Sequence, residues 1–408
     1  MSATSPFHLM SKPAGPDCNL NCRYCFYLEK DSIYHQNKKH RMSPETLETY
    51  IRQYCESQRT PELTFAWQGG EPTLMGIPFY EKAVALQQKY ANGRPVHNAF
   101  QTNGILIDND WCKFLKRHNF LVGLSLDGPR HIHDRFRVNR GGKPSFDQVM
   151  KTLNRLKSHG VEYNTLTCIT RQSAPHADEI YTFLKSTGTT FMQFIPIIER
   201  KPSPAATQQG LKLDTPPDAE TGEDTPNVMP WTIEPLQYGK FLSTIFDIWV
   251  RQDVGKIFVQ IFDAMLGAWM GMPPSLCVFG ETCGDAMVME HNGDVYTCDH
   301  YVYPEFFLGN IHKTPLTAMH DLPVKQAFGK KKAELPQQCQ TCKFHFACHG
   351  GCPKHRFLKT ADNEPGLNWL CEGYKHFMEH VDPYMKQMAM LLRMQRPPAE
   401  IMQMLASG

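Results

Sequence analysis

Residues 18–25, CNLNCRYC, place three cysteines at a C-x3-C-x2-C spacing within one short loop. Three thiolates this close together can hold three corners of a cubane iron–sulfur cluster and leave the fourth iron without a protein ligand. The alternatives are three unrelated cysteines or a partial zinc site, although a closed structural zinc site uses four ligands. The spacing therefore favours a cluster whose open iron can bind a small chelating molecule.

Apolar, strand-like runs alternate with helical patterns around and after this loop. The predicted strands are residues 7–12, 63–69, 96–104, 121–128, 164–170 and 191–197. Ser43, followed by Pro44 and Glu45, predicts the start of a helix that continues to about residue 58, and Ser145 is predicted to cap another. This alternation predicts an α/β fold with a parallel sheet, either open and doubly wound or curved into a partial (β/α)6 TIM-like barrel.

The loops favour the barrel. Residues suited to chemistry follow the first four predicted strands: the cysteine loop, QGGEP at 68–72, QTNG at 101–104 and SLDG at 125–128. Barrel enzymes carry their active sites at the carboxyl ends of the strands, so we expect these four loops to meet at one mouth.

Composition suggests three parts. Residues 1–235 hold the predicted barrel, and within them residues 201–230 are rich in Pro, Asp, Glu and Thr, which predicts a solvated, mobile insertion. Residues 236–271 are expected to form a helical connection. Residues 272–408 are expected to form a cysteine-rich domain that ends in helices.

Charge and composition exclude several broad classes. The 408 residues include 43 basic and 41 acidic side chains, so a formal net charge of +2 draws the chain neither to nucleic acid nor to an anionic membrane. The first residues, MSATSPFHLM, lack the pattern of a signal peptide, and no apolar run is long enough to span a bilayer. We expect a cytoplasmic protein without nucleic-acid or membrane partners.

Fourteen cysteines without an export signal predict metal ligands rather than disulfides, because a reducing cytosol keeps thiols free. Eight of them come late in the chain: Cys277, Cys283, Cys298, Cys339, Cys342, Cys348, Cys352 and Cys371. Eight ligands make two four-coordinate sites, for which zinc is an alternative. We favour iron–sulfur clusters, because they can relay electrons to or from the first cluster and zinc cannot. Cys55, Cys112 and Cys168 stand apart and are expected to be small buried side chains.

Asp299 directly follows Cys298 in the segment HNGDVYTCDHYVYP, residues 291–304. A hydrogen-bonded turn aspartate is one interpretation of this carboxylate. The other is a general base held beside a cluster, where proton loss from a substrate accompanies electron loss.

The ordered motifs resemble the radical S-adenosylmethionine (AdoMet) enzymes that carry a C-terminal SPASM domain. More closely, CNLNCRYCFYLEK, WQGGEPTL, FQTNG, LVGLSLDGP, GDVYTCDHYV and GGCPKHR are similar to the anaerobic sulfatase-maturating enzymes, from about Phe7 to about Tyr384. The resemblance implies three [4Fe-4S] clusters and S-adenosyl-L-methionine as cofactors. It also implies a 5′-deoxyadenosyl radical that oxidises a cysteine or serine of a sulfatase peptide to Cα-formylglycine.

The resemblance further implies roles for individual residues. Cys18, Cys22 and Cys25 match the radical-cluster ligands, and Asp299 matches the proposed proton acceptor for the substrate side chain. The expected AdoMet-binding positions are Tyr24, Gly70, Ser125, Arg137 and Ile198, and the expected substrate-proximal positions are Tyr27 and Gln68. A surface role for Arg137 and an ordinary core role for Ile198 remain alternatives.

For the later cysteines the resemblance interleaves two auxiliary clusters. One set is Cys277, Cys283, Cys298 and Cys352, and the other is Cys339, Cys342, Cys348 and Cys371, whereas spacing alone would group Cys339 through Cys352. The expected partners are an unfolded or nascent sulfatase segment and an electron donor such as a flavodoxin or ferredoxin.

Two other functions remain open at this point. A different SPASM enzyme, one that forms thioether or carbon–carbon crosslinks in a peptide, needs the same radical site. A non-catalytic iron–sulfur protein would carry electrons without cleaving AdoMet.

Overall fold

Parallel strands separated by helices form the N-terminal part of the fold. The computed structural model describes residues 5–33, 39–217, 222–223 and 226–407 of the chain. The strands of this part are β1 (His8–Lys12), β2 (Leu63–Trp67), β3 (Val96–Thr102), β4 (Phe120–Ser125), β5 (Tyr163–Ile169), β6 (Phe191–Pro196) and β7 (Phe258–Val259), each parallel to the next. The predicted partial α/β barrel is confirmed, and β7 adds a short strand where the sequence pattern indicates helix.

Helices pack against this sheet. They are α1 (Pro44–Ser57), α2 (Ile77–Tyr90), α3 (Asn109–Arg117), α4 (Arg130–Phe136), α5 (Phe146–Ser158), α6 (Ala177–Ser186), α7 (Pro204–Gln208), α8 (Pro235–Gln252) and α9 (Gln260–Trp269). The Ser43 hydroxyl accepts a hydrogen bond from the Thr46 N–H at 3.0 Å and caps α1 as its sequence predicts. Tyr50 and Tyr80 meet Trp67 edge-on, at 5.8 Å and 5.5 Å between ring centroids, so aromatic packing joins α1 and α2 to β2.

The cysteine-rich part extends the same sheet. The strands β8 (Ala286–Glu290), β9 (Asp294–Tyr296) and β10 (Phe307–Asn310) continue it beyond β1, so that ten strands among the described residues share one sheet. β8 runs parallel to β1 with Lys12 opposite Glu290, and β9 and β10 pair antiparallel. The carboxyl end of β1 therefore lies between residues of both predicted domains.

Short elements and one long helix complete the chain. These are α10 (Leu316–His320), α11 (Pro323–Lys331), α12 (Gln337–Gln340), α13 (His345–Cys348), β11 (Leu358–Lys359), β12 (Pro365–Leu367), α14 (Cys371–Arg393) and α15 (Ile401–Ala406). α14 packs closely on α8, because Gly373 and Gly239 face each other without side chains. Among the described residues, no helix is both long enough and apolar enough to cross a membrane.

The segment predicted to be a mobile insertion packs against the rest of the fold at several of its described residues. The Glu29 carboxylate accepts hydrogen bonds from the N–H groups of Lys212 and Leu213, both at 2.9 Å. Leu211 and Leu213 are buried, and Arg200 pairs with Val228 as an isolated β-bridge. Residues 218–221 and 224–225 of this segment lie outside the described part.

Candidate functional site

The loop after β1 holds the first three cysteines close together. The Cys18 sulfur accepts hydrogen bonds from the Leu20 N–H at 3.4 Å and from Asn103 Nδ2 at 3.6 Å. Burial raises the pKa of Cys18 to about 12 and also raises the pKa values of Cys22 and Cys25. Three partly buried thiols become thiolates when a metal supplies positive charge, so this donor set fits an iron–sulfur cluster.

Glu71, in the GGEP turn, ties three loops together. Its buried carboxylate accepts hydrogen bonds from the Thr73 N–H at 3.0 Å, the Thr102 hydroxyl at 2.7 Å and the Asn103 N–H at 2.8 Å. The preceding residue, Gly70, has no room for a side chain, because a Cβ there would lie 2.0 Å from the Asp17 carbonyl oxygen. The turns after β2 and β3 are thus fixed against the cysteine loop.

Asp127 organises the opposite side of the mouth. Its carboxylate accepts a hydrogen bond from the Tyr24 hydroxyl at 2.5 Å, pairs with Arg137 at 2.9 Å and accepts a bond from the Cys168 N–H at 2.9 Å. Arg137 is buried, which contradicts a surface role, and its charge is balanced by Asp127. Burial raises the pKa of Cys168 to about 12, and its sulfur lies 3.6 Å from an Arg137 nitrogen. Cys168 therefore belongs to this site, whereas Cys55 and Cys112 are buried as expected.

Two further residues expected around AdoMet lie at the same edge of the sheet as Asp127. Ser125, the last residue of β4, and Ile198, shortly after β6, are both buried at the carboxyl ends of two strands that flank β5. Their positions meet the geometric expectation for one mouth.

Asp299 lies at the same mouth, paired with Lys12. The two form an ion pair in which Lys12 is buried and Asp299 remains 22% exposed. Although burial by itself raises the pKa of Asp299, the nearby cations, Lys12 first, outweigh it and lower that pKa. Lys12 also lies 3.7 Å from the centre of the Tyr27 ring, and the Tyr27 hydroxyl donates a hydrogen bond to Glu290. A carboxylate that is kept ionised and is partly exposed can accept a proton.

Gln68 and Gln101 face each other at the ends of β2 and β3 and are joined by a side-chain hydrogen bond. Gln68 directly follows β2, and Lys12 is the last residue of β1. Because β1 and β2 are paired, Gln68 lies one strand away from the Lys12–Asp299 pair. Amides in this position can donate to and accept from a peptide backbone.

The late cysteines fall into two groups in space. Cys277, Cys283, Cys298 and Cys352 are close enough for the charge on one to affect its neighbours. Cys339, Cys342, Cys348 and Cys371 line one cavity of about 460 Å³. Arg356 is buried and interacts electrostatically with members of both groups. Cys352 therefore lies apart from Cys339, Cys342 and Cys348, unlike the grouping that spacing alone gives.

Five residues of this site are not identified as site residues by the sequence: Lys12, Glu71, Asn103, Asp127 and Cys168. The signal for Lys12 was a charged residue at the end of an otherwise apolar strand. Glu71, Asn103 and Asp127 stand inside motifs already recognised, where polar residues end three parallel strands in succession.

Comparison with known proteins agrees with this geometry. The sequence matches the radical SAM superfamily over residues 13–184 and the SPASM iron–sulfur cluster-binding domain over residues 277–343. A serine-type anaerobic sulfatase-maturating enzyme from Bacteroides thetaiotaomicron is 47% identical over 404 residues, which cover 99% of this chain and 96% of that protein. A cysteine-type enzyme from Clostridium perfringens is 33% identical over 382 residues, which cover 93% of this chain and 97% of that protein.

A solved structure shows that the similarity extends to the three-dimensional fold. Native anSMEcpe with bound AdoMet and Cp18Cys peptide superposes with a TM-score of 0.81 at 32% sequence identity, covering 94% of this chain and 99% of that chain. Sequence and fold are thus shared over nearly the whole length of each protein.

Proposed function

The chain belongs to the anaerobic sulfatase-maturating enzymes of the radical SAM superfamily, and we propose that it oxidises a serine or cysteine of a sulfatase peptide to Cα-formylglycine. The observation that carries this proposal is the ion pair between Lys12 and Asp299, at the strand end that leads into the cysteine loop. A carboxylate and a radical cluster at one mouth suit a reaction that removes a hydrogen atom and a proton from one side chain.

Asp299 is the proposed base. It accepts the proton of the substrate hydroxyl or thiol, and Lys12 keeps its carboxylate ionised before substrate binds. Tyr27 and Gln68 are proposed to contact the peptide, because the Tyr27 ring packs on Lys12 and the Gln68 N–H donates to the carbonyl of Ser11, the residue before Lys12.

The cofactors are three [4Fe-4S] clusters and AdoMet. When bound, they supply the 5′-deoxyadenosyl radical that takes a hydrogen atom from the substrate Cβ, and they accept the remaining electron. We propose Cys18, Cys22 and Cys25 as ligands of the radical cluster and the two spatial groups of late cysteines as ligands of the auxiliary clusters. The residues proposed to hold AdoMet are Tyr24, Gly70, Ser125, Arg137 and Ile198.

Both substrates reach the aldehyde by the loss of the same two hydrogens and two electrons. Serine loses one hydrogen atom, one proton and one electron, which together convert its alcohol into an aldehyde. Cysteine first gives the thioaldehyde by the same losses, and water then replaces sulfur with release of hydrogen sulfide.

The proposed macromolecular partners are a sulfatase segment in an extended, unfolded state and a one-electron donor such as a flavodoxin or ferredoxin. An extended segment is required because the target side chain has to reach a mouth lined by buried residues. The donor supplies the electron with which each cleavage of AdoMet begins.

A peptide assay tests the function. Reduced, reconstituted protein is incubated with AdoMet and either an S-x-A-x-R or a C-x-P-x-R peptide, and the products are analysed by mass spectrometry. We expect the aldehyde product together with 5′-deoxyadenosine. Deoxyadenosine without any aldehyde, or a peptide crosslinked to itself, would contradict formylglycine formation.

We also propose that serine is among the accepted targets. The supporting observation is that the serine-type relative from Bacteroides thetaiotaomicron is 47% identical, whereas a cysteine-type relative from Clostridium perfringens is 33% identical. If the cysteine peptide reacts and the serine peptide is recovered unchanged under the same conditions, this part of the proposal is wrong.

A further inference from the structure

Outside the cysteine groups, His131, His176 and Glu179 form a cluster on the surface of the barrel. One ligand atom from each residue lies within 4.8 Å of the other two. His131 comes from the start of α4, whereas His176 and Glu179 come from the turn before α6 and from α6 itself. All three side chains are reachable by solvent, with exposures of 58%, 43% and 43%.

The distances match those around a small divalent cation. Both histidines approach the same Glu179 oxygen, Oε2, which lies 3.1 Å from His176 Nδ1 and 3.6 Å from His131 Nε2. Ligand atoms about 2.1 Å from a tetrahedral zinc ion are roughly 3.4 Å apart, so small side-chain rotations suffice to surround one ion. Two imidazole nitrogens and one carboxylate oxygen also form a donor set that binds zinc in preference to magnesium or calcium.

The backbone holds α4 and α6 close enough for this cluster. Gly128, with a φ of +124°, lies so close to α6 that a Cβ there would be 3.1 Å from an Ile180 side-chain carbon. Three residues later, His131 faces the first turn of α6, and the two imidazole rings are 5.5 Å apart in an edge-to-face arrangement. The cluster thus spans the boundary between two βα units.

We propose that His131, His176 and Glu179 bind a zinc-class divalent cation, with water as the fourth ligand. The site is separate from the iron–sulfur positions and does not take part in the oxidation. Its bound ion links the first turn of α4 to α6, and α4 ends directly before Arg137, the partner of Asp127. Metal binding therefore stabilises the two helices that follow β4 and β5.

Zinc retention by the untagged holoenzyme tests the proposal. Wild type, His131→Ala, Glu179→Gln and the control His97→Ala, all loaded with iron and sulfide, are dialysed against equal concentrations of zinc sulfate. His97 is a suitable control because it is equally exposed and pairs with one carboxylate, Glu62, at another surface. Zinc and iron are then quantified in each protein, and thermal unfolding is followed with and without zinc.

We expect wild type and His97→Ala to retain one zinc per chain more than the other two variants, at equal iron content. Zinc should also raise the midpoint of thermal unfolding of wild type and of His97→Ala, but not of His131→Ala. Equal zinc in all four proteins would overturn the proposal and leave an ordinary His176–Glu179 pair at the start of α6. If a variant folds poorly, wild-type crystals soaked in zinc provide a second test by anomalous diffraction at the zinc edge. The proposal predicts an anomalous peak between the three side chains, and the absence of such a peak would overturn it.

Discussion

At the scale of single residues, the proposed role of Asp299 as the base predicts that cofactor cleavage and substrate oxidation can be separated. Replacing Asp299 with Asn keeps the size of the side chain but removes the proton acceptor. We expect formylglycine formation to fall by roughly 10²-fold or more, while AdoMet is still cleaved to deoxyadenosine. Chromatography of deoxyadenosine and mass spectrometry of the peptide, from the same reactions, measure the two outcomes.

The control for this variant is Glu305→Gln, which changes an exposed carboxylate a few residues away. It should behave as wild type in both measurements. If Asp299→Asn forms product at the wild-type rate with unchanged iron content, Asp299 is not the base.

Gly70 is expected to be essential for a purely steric reason. An alanine Cβ would meet the Asp17 carbonyl oxygen at 2.0 Å, so the cysteine loop would have to move. We expect Gly70→Ala to lose the radical cluster, with iron falling from about twelve to about eight atoms per chain. Gly267→Ala, in a helix with room for a methyl group, serves as the control. Full iron content and normal AdoMet cleavage in Gly70→Ala would show that the close approach is unimportant.

Much of the site was predictable residue by residue, because cysteine spacing and strand-end motifs are local signals. Lys12 was not, since its importance depends on pairing with Asp299, more than 280 positions away. No local pattern encodes the strand pairing that brings these two side chains together. The separation of Cys352 from Cys348 likewise depends on the chain reversing at two glycines with positive φ, Gly350 and Gly351.

At the scale of elements, α5 shows how tertiary contacts override a local signal. Its sequence predicts that the Ser145 hydroxyl caps the helix, but the cap is instead the Asp134 carboxylate, which accepts from the Phe146 N–H at 2.9 Å. The Ser145 hydroxyl donates to the Arg137 carbonyl at 2.7 Å and lies 3.0 Å from His133. A serine that could cap its own helix therefore braces the segment that carries Arg137.

The contact between α8 and α14 gives a prediction at this scale. A Cβ at Gly373 would lie 1.9 Å from the Pro235 carbonyl oxygen, and Cys371 is two residues away at the start of α14. We expect Gly373→Ala to destabilise the fold by about 1–3 kcal/mol and to loosen the second auxiliary cluster. Urea unfolding and iron analysis measure the two effects, and wild-type values in both would contradict the close packing.

At the scale of the whole molecule, the sheet does not stop at the boundary between the two predicted domains. β8 supplies the neighbour of β1 on the side away from β2, and its Glu290 contacts Tyr27. The sequence indicates two cysteine-bearing regions but not this pairing, because β8 and β1 are separated by the entire barrel. The consequence is a mouth to which the cysteine loop after β1 and Asp299, far along the chain, both contribute.

A shortened chain tests this continuity. Residues 1–271 alone would expose the edge of β1 and leave Lys12 without Asp299, so we expect an aggregating product. Sedimentation and circular dichroism compare it with the full chain. A soluble, cooperatively unfolding fragment would mean that the barrel does not depend on β8.

The central claim is that a radical formed at the cysteine loop removes hydrogen from the target carbon of a peptide. The most direct measurement uses an S-x-A-x-R peptide whose serine carries deuterium at Cβ. We predict that deuterium appears in 5′-deoxyadenosine in step with aldehyde formation, and that the Asp299→Asn protein shows this transfer with little aldehyde. Aldehyde formed without deuterium in the deoxyadenosine would contradict the account.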